Sequence, residues 1–525
     1  MPPRPKFYLT TAIDYPNSPP HIGTAFEKIG ADVQARYRRM QGWDVHFLMG
    51  NDENTIKVSK RAEELGCDPK AYVDDMAVQF KAVWRRLEIS YDDFIQTSEA
   101  RHVRGCQQFI QRVYDAGDIY KAAYEALYCE GCEEFKTTSQ LKEGRCPNHP
   151  SLELKHVQEE NYFFALSKYR DRLLDFYRAN PTFIQPEIRK NEMVSLVESG
   201  LQDVSVSRRD FKWGIDLPFD GEQKIYVWFD ALLNYITAIG FGSDDEQFRA
   251  RWPADLHFIG KDITRFHCAL WPAMLMSAGL ELPRQVFAHG FVYHKGEKMS
   301  KTLGNIVDPM KLADEFGADA FRYYFLRECP FGGDGDFSYD RFIALYNSDL
   351  ANNLGNLYSR TITMFQRYLG GVAGRETSPA AEGIPAIFAG VDLPALVVRL
   401  KQQVEACNYS QALAAVWQEV LDTANRYVEQ HKPFELARTD LAACSRVLEN
   451  LAEGLRVAAI LIKPFLPGAA ERIYNGFEGP VPFDEVRFEH AAEIPRRSGP
   501  VRLTAELDAN GKVPPLFPRI QPALA

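Results

Sequence analysis

A chain of 525 residues is too long for a single hydrophobic core and predicts about two to four domains. Its composition, 46% hydrophobic and 25% charged, is that of a globular protein, and the absence of any apolar run near the roughly 20 residues that cross a bilayer argues against a membrane-spanning one. The net charge of −10, of which −9 falls in the first 350 residues, advertises no nucleic-acid surface, so a polyanionic partner would have to use local basic patches.

The N-terminus, Met1-Pro2-Pro3-Arg4-Pro5-Lys6, lacks an apolar signal core, which points to the cytoplasm. Residues 6–13 read as a buried strand, followed by a proline-rich loop. Ala25, Ile29, Val33, Tyr37 and Met40 then recur at helical spacing, Gly42 ends the helix, and residues 45–49 read as the next strand. This βαβ unit predicts a parallel sheet with helices on its faces. Helical patterns run through 56–65, 70–87 and 99–116. A second α/β stretch starts near Lys224, with strands expected at 256–259 and 286–291.

The fold class is therefore α/β: a Rossmann-type parallel sheet in two halves, residues 1–116 and 221–340, split by an insertion at 117–220. From 341 to 470 the pattern is all helical. Its stripes are Leu350, Leu354, Leu357, Thr361 and Phe365; Leu413, Val416, Val420, Ala424 and Tyr427; and Leu441, Leu448, Leu451, Leu455 and Ile462. Pro433 and Pro464 stop the second and third, and a helix bundle follows. Residues 370–395 read as a long loop, and 471–525 as a proline-rich tail that lies back on the body or is partly disordered.

The insertion carries Cys129-x2-Cys132-x13-Cys146-x2-His149. Two close pairs of soft ligands across a short loop have the spacing of a structural zinc knuckle, so one zinc per chain is expected. The cysteine count of nine is odd, which fits reduced thiols better than a disulfide framework. The cysteines at 67, 106, 268, 329, 407 and 444 sit singly in regular patterns and read as packing residues.

Two further segments point to ATP. Pro16-Asn17-Ser18-Pro19-Pro20-His21-Ile22-Gly23-Thr24 lies where the first strand gives way to a helix, a place where unpaired backbone N–H groups attract phosphate. Lys298-Met299-Ser300-Lys301-Thr302, bounded by Gly296 and Gly304, would be a loop that closes on the same phosphates. A single loop histidine, or two lysines, would ordinarily be solvated surface; the two strings in this order and context outweigh that reading.

The first string resembles the HIGH motif and the second the KMSKS motif of class I aminoacyl-tRNA synthetases. Tyr8-Leu9-Thr10-Thr11, Asp52-Glu53, Tyr226-Val227-Trp228-Phe229-Asp230-Ala231, Gly260-Lys261-Asp262-Ile263 and Asp319-Ala320-Phe321-Arg322-Tyr323-Tyr324 resemble the methionyl-tRNA synthetases within that class. The resemblance runs from about residue 6 to about residue 470 and is tightest in the first 330.

The resemblance implies activation of methionine by Mg·ATP and transfer to initiator and elongator methionine tRNA, by a monomer without membrane attachment. It assigns His21, Thr24, Lys298 and Lys301 to the chemistry, and His21, Gly23, Thr24, Glu27, Gly260, Asp262, Lys298, Ser300 and Lys301 to ATP. Methionine falls to Ile13, Tyr15, Asp52, Trp228, Ala231, Tyr235, Ile263 and His267, with Asp52 on the ammonium and Tyr235 and His267 as donors to sulfur. The anticodon falls to Asn356, Arg360, Pro433 and Phe434 of the helical domain. The chain departs from the family at Thr24 (usually His), Thr302 (Ser), Asn54-Thr55 (His-Gly) and Phe434 (Trp). Three rival readings stay open at this stage: a class I synthetase for another amino acid, a non-catalytic tRNA- or zinc-binding module, and another adenylyltransferase.

Overall fold

Lys6–Thr11 (β1) buries every residue but the first, as a central strand covered on both faces must. The computed structural model describes residues 4–131, 134–136, 141–147, 149–209, 212–299, 305–374, 379–493 and 500–521. β1 pairs in parallel with Asp44–Asn51 (β2) on one side and with Leu256–Gly260 (β5) on the other. Asp93–Gln96 (β3), Ile184–Gln185 (β4) and Val286–His289 (β6) complete a six-stranded parallel sheet in the order β3-β2-β1-β5-β6-β4.

Residues 117–220 therefore do not lie wholly outside the sheet, because Ile184–Gln185 forms its edge strand beside β6. The segment also builds a separate four-stranded sheet around the long hairpin of Ile119–Cys129 and Lys155–Phe164, and two helices, Arg170–Ala179 and Glu187–Glu198. The strand expected over 286–291 stops at His289. There Gly290 passes so close to the backbone of Gly333 that a Cβ would lie 1.9 Å from its carbonyl oxygen, and the chain turns out of the sheet. Val292–His294 then forms a hairpin with Glu297–Lys298. Lys295 and Gly296, both at positive φ, supply the turn that this tight connection requires.

Ile22–Met40 (α1) packs on β1 and β2. Further helices used below are Ala100–Asp115 (α2), Val227–Leu232 (α3), Asn234–Thr237 (α4), Ala318–Glu328 (α5), Asn356–Leu369 (α6), Pro433–Thr439 (α7) and Leu441–Ile462 (α8). α8 is the hydrophobic axis of the bundle, with Val457 through Ile462 all buried. Helical structure continues past residue 470, through Pro467–Tyr474. The tail lies back on the body: Val501–Arg502 pairs with Val372–Ala373 inside the segment 370–395, and Phe517 is buried edge-on against Tyr346. Among the described residues, no helix is long and apolar enough to cross a membrane.

The parallel-sheet part and the helical part of the chain meet at Arg322 of α5, which is fully buried. Its guanidinium pairs with Asp32 of α1 at 2.7 Å and donates to the carbonyls of Phe465 (2.7 Å), Pro464 (3.2 Å) and Leu87 (3.3 Å). Burial alone would raise Asp32, but Arg36 and Arg322 beside it hold its carboxyl down at about 2. Removing Arg322 takes one of two cations from a fully buried carboxylate, which keeps only Arg36, and the buried donor from three carbonyls. Arg322→Met is therefore expected to cost about 3–5 kcal/mol, read by calorimetry as a lowered melting temperature; an unchanged melting temperature would show that the pair does not hold the junction.

Candidate active site

α1 begins at His21, whose ring caps the helix. Nδ1 accepts from the N–H groups of Gly23 (3.0 Å) and Thr24 (3.4 Å), so the ring proton sits on Nε2. Thr24 completes a capping box by accepting the His21 N–H on Oγ1 at 3.5 Å, which leaves its own O–H proton for another acceptor. Gly23 is required by space: a Cβ there would lie 2.9 Å from the His21 ring.

This helix start opens on a cavity of about 360 Å³ at the C-terminal edge of the parallel sheet, where open α/β sheets bind ligands. His21, Gly23, Thr24, Glu27, Gly260 and Asp262 line it, and so do Ile13, Tyr15, Asp52, Trp228, Ala231, Tyr235, Ile263 and His267. All the ATP and methionine candidates from the first 270 residues thus meet in one space. Met299 also lines it, which brings the start of the lysine loop to the cavity; Lys298 is fixed there by its backbone pairing to Tyr293. Ser300 and Lys301 lie outside the described residues, as does Cys132.

One part of the cavity wall is ionic. Lys28, fully buried, donates to Glu27 (2.7 Å) and to the Ala12 carbonyl (2.8 Å) and stands 3.1 Å from Asp14. Glu27 also meets His289 Nε2 at 2.9 Å. Burial would raise Glu27, but Lys28 and His289 hold its carboxyl below the ordinary range. Burial pushes Asp14 up to about 6 against the pull of Lys28. Asp14 and His289 line the cavity and were not among the sequence candidates. The available signal was position: His289 ends β6, and Asp14 follows β1 by three residues and bridges in parallel to Asn51 at the end of β2.

Another part of the wall is neutral. Trp228 stacks on Phe266, centroids 3.8 Å apart and planes 4° from parallel. His267 lies in a π-helical turn, Phe266–Leu270, and burial lowers its pKa to about 4. Its Nδ1 faces the Ile263 carbonyl at 3.1 Å and must donate there, so Nε2 is an acceptor. Nε2 lies 2.7 Å from the Tyr235 hydroxyl, which donates to it. Tyr235 and His267 therefore hold one transferable proton between them. In this tautomer the two residues expected to face sulfur share a single proton, carried by the tyrosine hydroxyl.

Cys129, Cys146 and His149 converge, their ligand atoms all within 4.8 Å of one another. Gly131 makes this possible, since a Cβ there would lie 2.4 Å from the His149 ring. The eight described cysteines form no disulfide. In the helical domain, Asn356 and Arg360 are exposed one turn apart on α6, which packs against α7. On α7, Pro433 is buried and Phe434 is 40% exposed.

Comparison with known proteins agrees with this geometry. The family model for class I tRNA synthetases (M) matches residues 7–159 and 151–362. The methionine–tRNA ligase of Caldanaerobacter subterraneus subsp. tengcongensis is 46% identical over 472 residues, 89% of this chain and 73% of that protein. That of Thermotoga maritima is 43% identical over 481 residues, 90% of this chain and 75% of that protein. The structure of Mycobacterium tuberculosis methionyl-tRNA synthetase in complex with methionyl-adenylate superposes with a TM-score of 0.89 at 40% identity, covering 98% of this chain and 100% of that one. With the family model spanning most of the chain and relatives this close across nearly nine-tenths of it, the chain belongs to the methionyl-tRNA synthetases, the methionine–tRNA ligases of class I.

Proposed function

We propose that the cavity holds methionine and Mg·ATP side by side, and that the methionine carboxylate attacks the α-phosphate in line to give methionyl-adenylate and pyrophosphate. The 3′-terminal ribose of methionine tRNA, initiator or elongator, then accepts the methionyl group. The observation that carries the reading is the meeting of both residue sets in one cavity at the N-terminus of α1. No protein nucleophile is needed; catalysis is positioning and electrostatic stabilisation. His21 Nε2–H and the Thr24 hydroxyl donate to the phosphates, and Lys298 and Lys301 neutralise charge that develops on the leaving pyrophosphate. Gly260 lets the backbone approach the base, Glu27 and Asp262 accept from ribose hydroxyls, and Asp52 binds the substrate ammonium. Asn356, Arg360, Pro433 and Phe434 read the anticodon; the joint exposure of three of them on adjoining helices supports that role. One structural zinc would be held by Cys129, Cys132, Cys146 and His149. A monomer in the cytoplasm completes the reading, consistent with free thiols at all eight described cysteines.

ATP–pyrophosphate exchange with methionine, cysteine, leucine, isoleucine and valine in turn tests it: exchange confined to methionine is expected, and exchange with none of them would leave a binding module.

Thr24→Ala should slow single-turnover adenylate formation. A hydroxyl bond to a charged phosphate is worth about 1.5–3 kcal/mol, or roughly 10- to 150-fold in rate. A rate within about twofold of wild type would remove Thr24 from the chemistry. Because Tyr235 carries the one available proton, Tyr235→Phe should weaken methionine use by about 1–3 kcal/mol and norleucine use by less. Equal losses for both would mean that the hydroxyl does not read sulfur. Metal analysis of the wild type should give about one zinc per chain, and Cys129→Ser should lose it, since a hydroxyl is a poor zinc ligand. A wild-type chain without zinc after metal-replete purification would refute the site.

A further inference from the structure

Asn54 stands just beyond Asp52 and does not line the cavity. It is 3% exposed, and both hydrogens of its amide are engaged. One goes to the Thr97 carbonyl at 3.1 Å, the other to Asp230 Oδ2 at 2.8 Å. The loop around it is anchored from two other segments: Glu53 N–H donates to Thr97 Oγ1 at 2.8 Å, and Trp213 Nε1 donates to the Glu53 carbonyl at 2.7 Å.

Asp230 belongs to α3, between Trp228 and Ala231, both of which line the cavity. Its second oxygen, Oδ1, accepts from His102 Nε2 of α2 at 2.7 Å. His102 Nδ1 in turn meets Thr237 Oγ1 of α4 at 2.8 Å. The approach of α2 to α4 is close, since a Cβ on Gly105 would lie 2.4 Å from the Thr237 side chain. Asp230, His102 and Thr237 are all fully buried. A single carboxylate therefore ties the Asp52 loop, α2 and α3 together at fixed hydrogen-bond distances, and His102 carries the tie on to α4.

We infer that Asn54 is a positioning residue for methionine: through Asp230 it sets the spacing between the Asp52 carboxylate, which holds the ammonium, and the Trp228–Ala231 wall, which holds the side chain. The inference rests on the methionine assignment of this cavity. The ionic wall at Glu27, Lys28 and His289 has no part in the tie, so the effect falls on methionine and not on ATP.

Asn54→Leu keeps the side-chain shape and removes both donors. Its KM for methionine is expected to rise roughly tenfold, the loss of a hydrogen bond to a charged group, with the KM for ATP within about twofold of wild type. Asn54→His, whose ring N–H can again donate to Asp230, should restore the methionine KM to within about threefold. If Asn54→Leu does not fold, Asp230→Asn, which sets a donor against the Asn54 donor, should show the same split. Equal rises in both KM values, a fall in kcat alone, or an unchanged methionine KM would each overturn the inference. Trp228→Ala separates the two levels: if it leaves the methionine KM unchanged, the cavity assignment has failed, whereas an effect there without one at Asn54 refutes only the positioning role.

Discussion

The buried pair between Asp32 and Arg322 fixes where α1 lies, and the remainder of the molecule is arranged around that helix. Two opposite charges sealed from water strongly favour mutual pairing once buried, because separating them without solvent is costly. Arg322 spends its remaining hydrogens on carbonyls from two other segments, so a shift of α1 would break contacts with both domains. The helical domain adds its own holds on the same helix: Tyr409 donates to the Gly30 carbonyl at 2.8 Å, and Tyr37 donates to Glu405 at 3.0 Å. His21 thus stands at the cavity end of a helix whose body is clamped between domains.

That clamp gives the cavity two environments. Around Glu27, Lys28 and His289, an ammonium group, two carboxylates and an imidazole lie within hydrogen-bond distance of one another. Around Trp228, Tyr235 and His267, burial keeps the groups neutral, and His257 behind Tyr235 is likewise held uncharged, well below its usual pKa. A thioether is a weak acceptor, and it competes poorly with a charged neighbour. On the proposed assignment, this neutral wall with its one orientable proton is what would tell sulfur from methylene.

Much of this was legible in the chain. β1, α1 and β2 follow from a buried run, a helical repeat and a second buried run, and the residues at their ends do meet. Ile184–Gln185 was not legible, because two residues carry no periodicity and their place is set by β6 from a hundred residues away. Asn54 stood out as a departure from its family, yet its partner Asp230 lies 176 positions on and only the fold brings them together. Asp14 and His289 belong to no string that suggests chemistry alone; their meaning comes from the place just beyond β1 and at the end of β6 that the fold gives them. The pairing of Tyr235 with His267 was visible as two candidate donors, but the Ile263 carbonyl that decides which of them holds the proton was not.

The order of strands in the main sheet also bears on how the molecule comes into being. β1 is made first, yet one of its two edges is covered only by β5, and Tyr8 waits for Asp255, 247 residues later, to receive its backbone N–H. At synthesis rates of about 5–20 residues per second, that interval is on the order of 10–50 s. For that time the growing chain carries an apolar strand with an open edge, the kind of surface that pairs with the wrong neighbour. The insertion that carries the zinc candidates is made during this wait, so a metal-stapled unit able to close on its own would shorten the length of unfolded chain trailing behind the exposed edge.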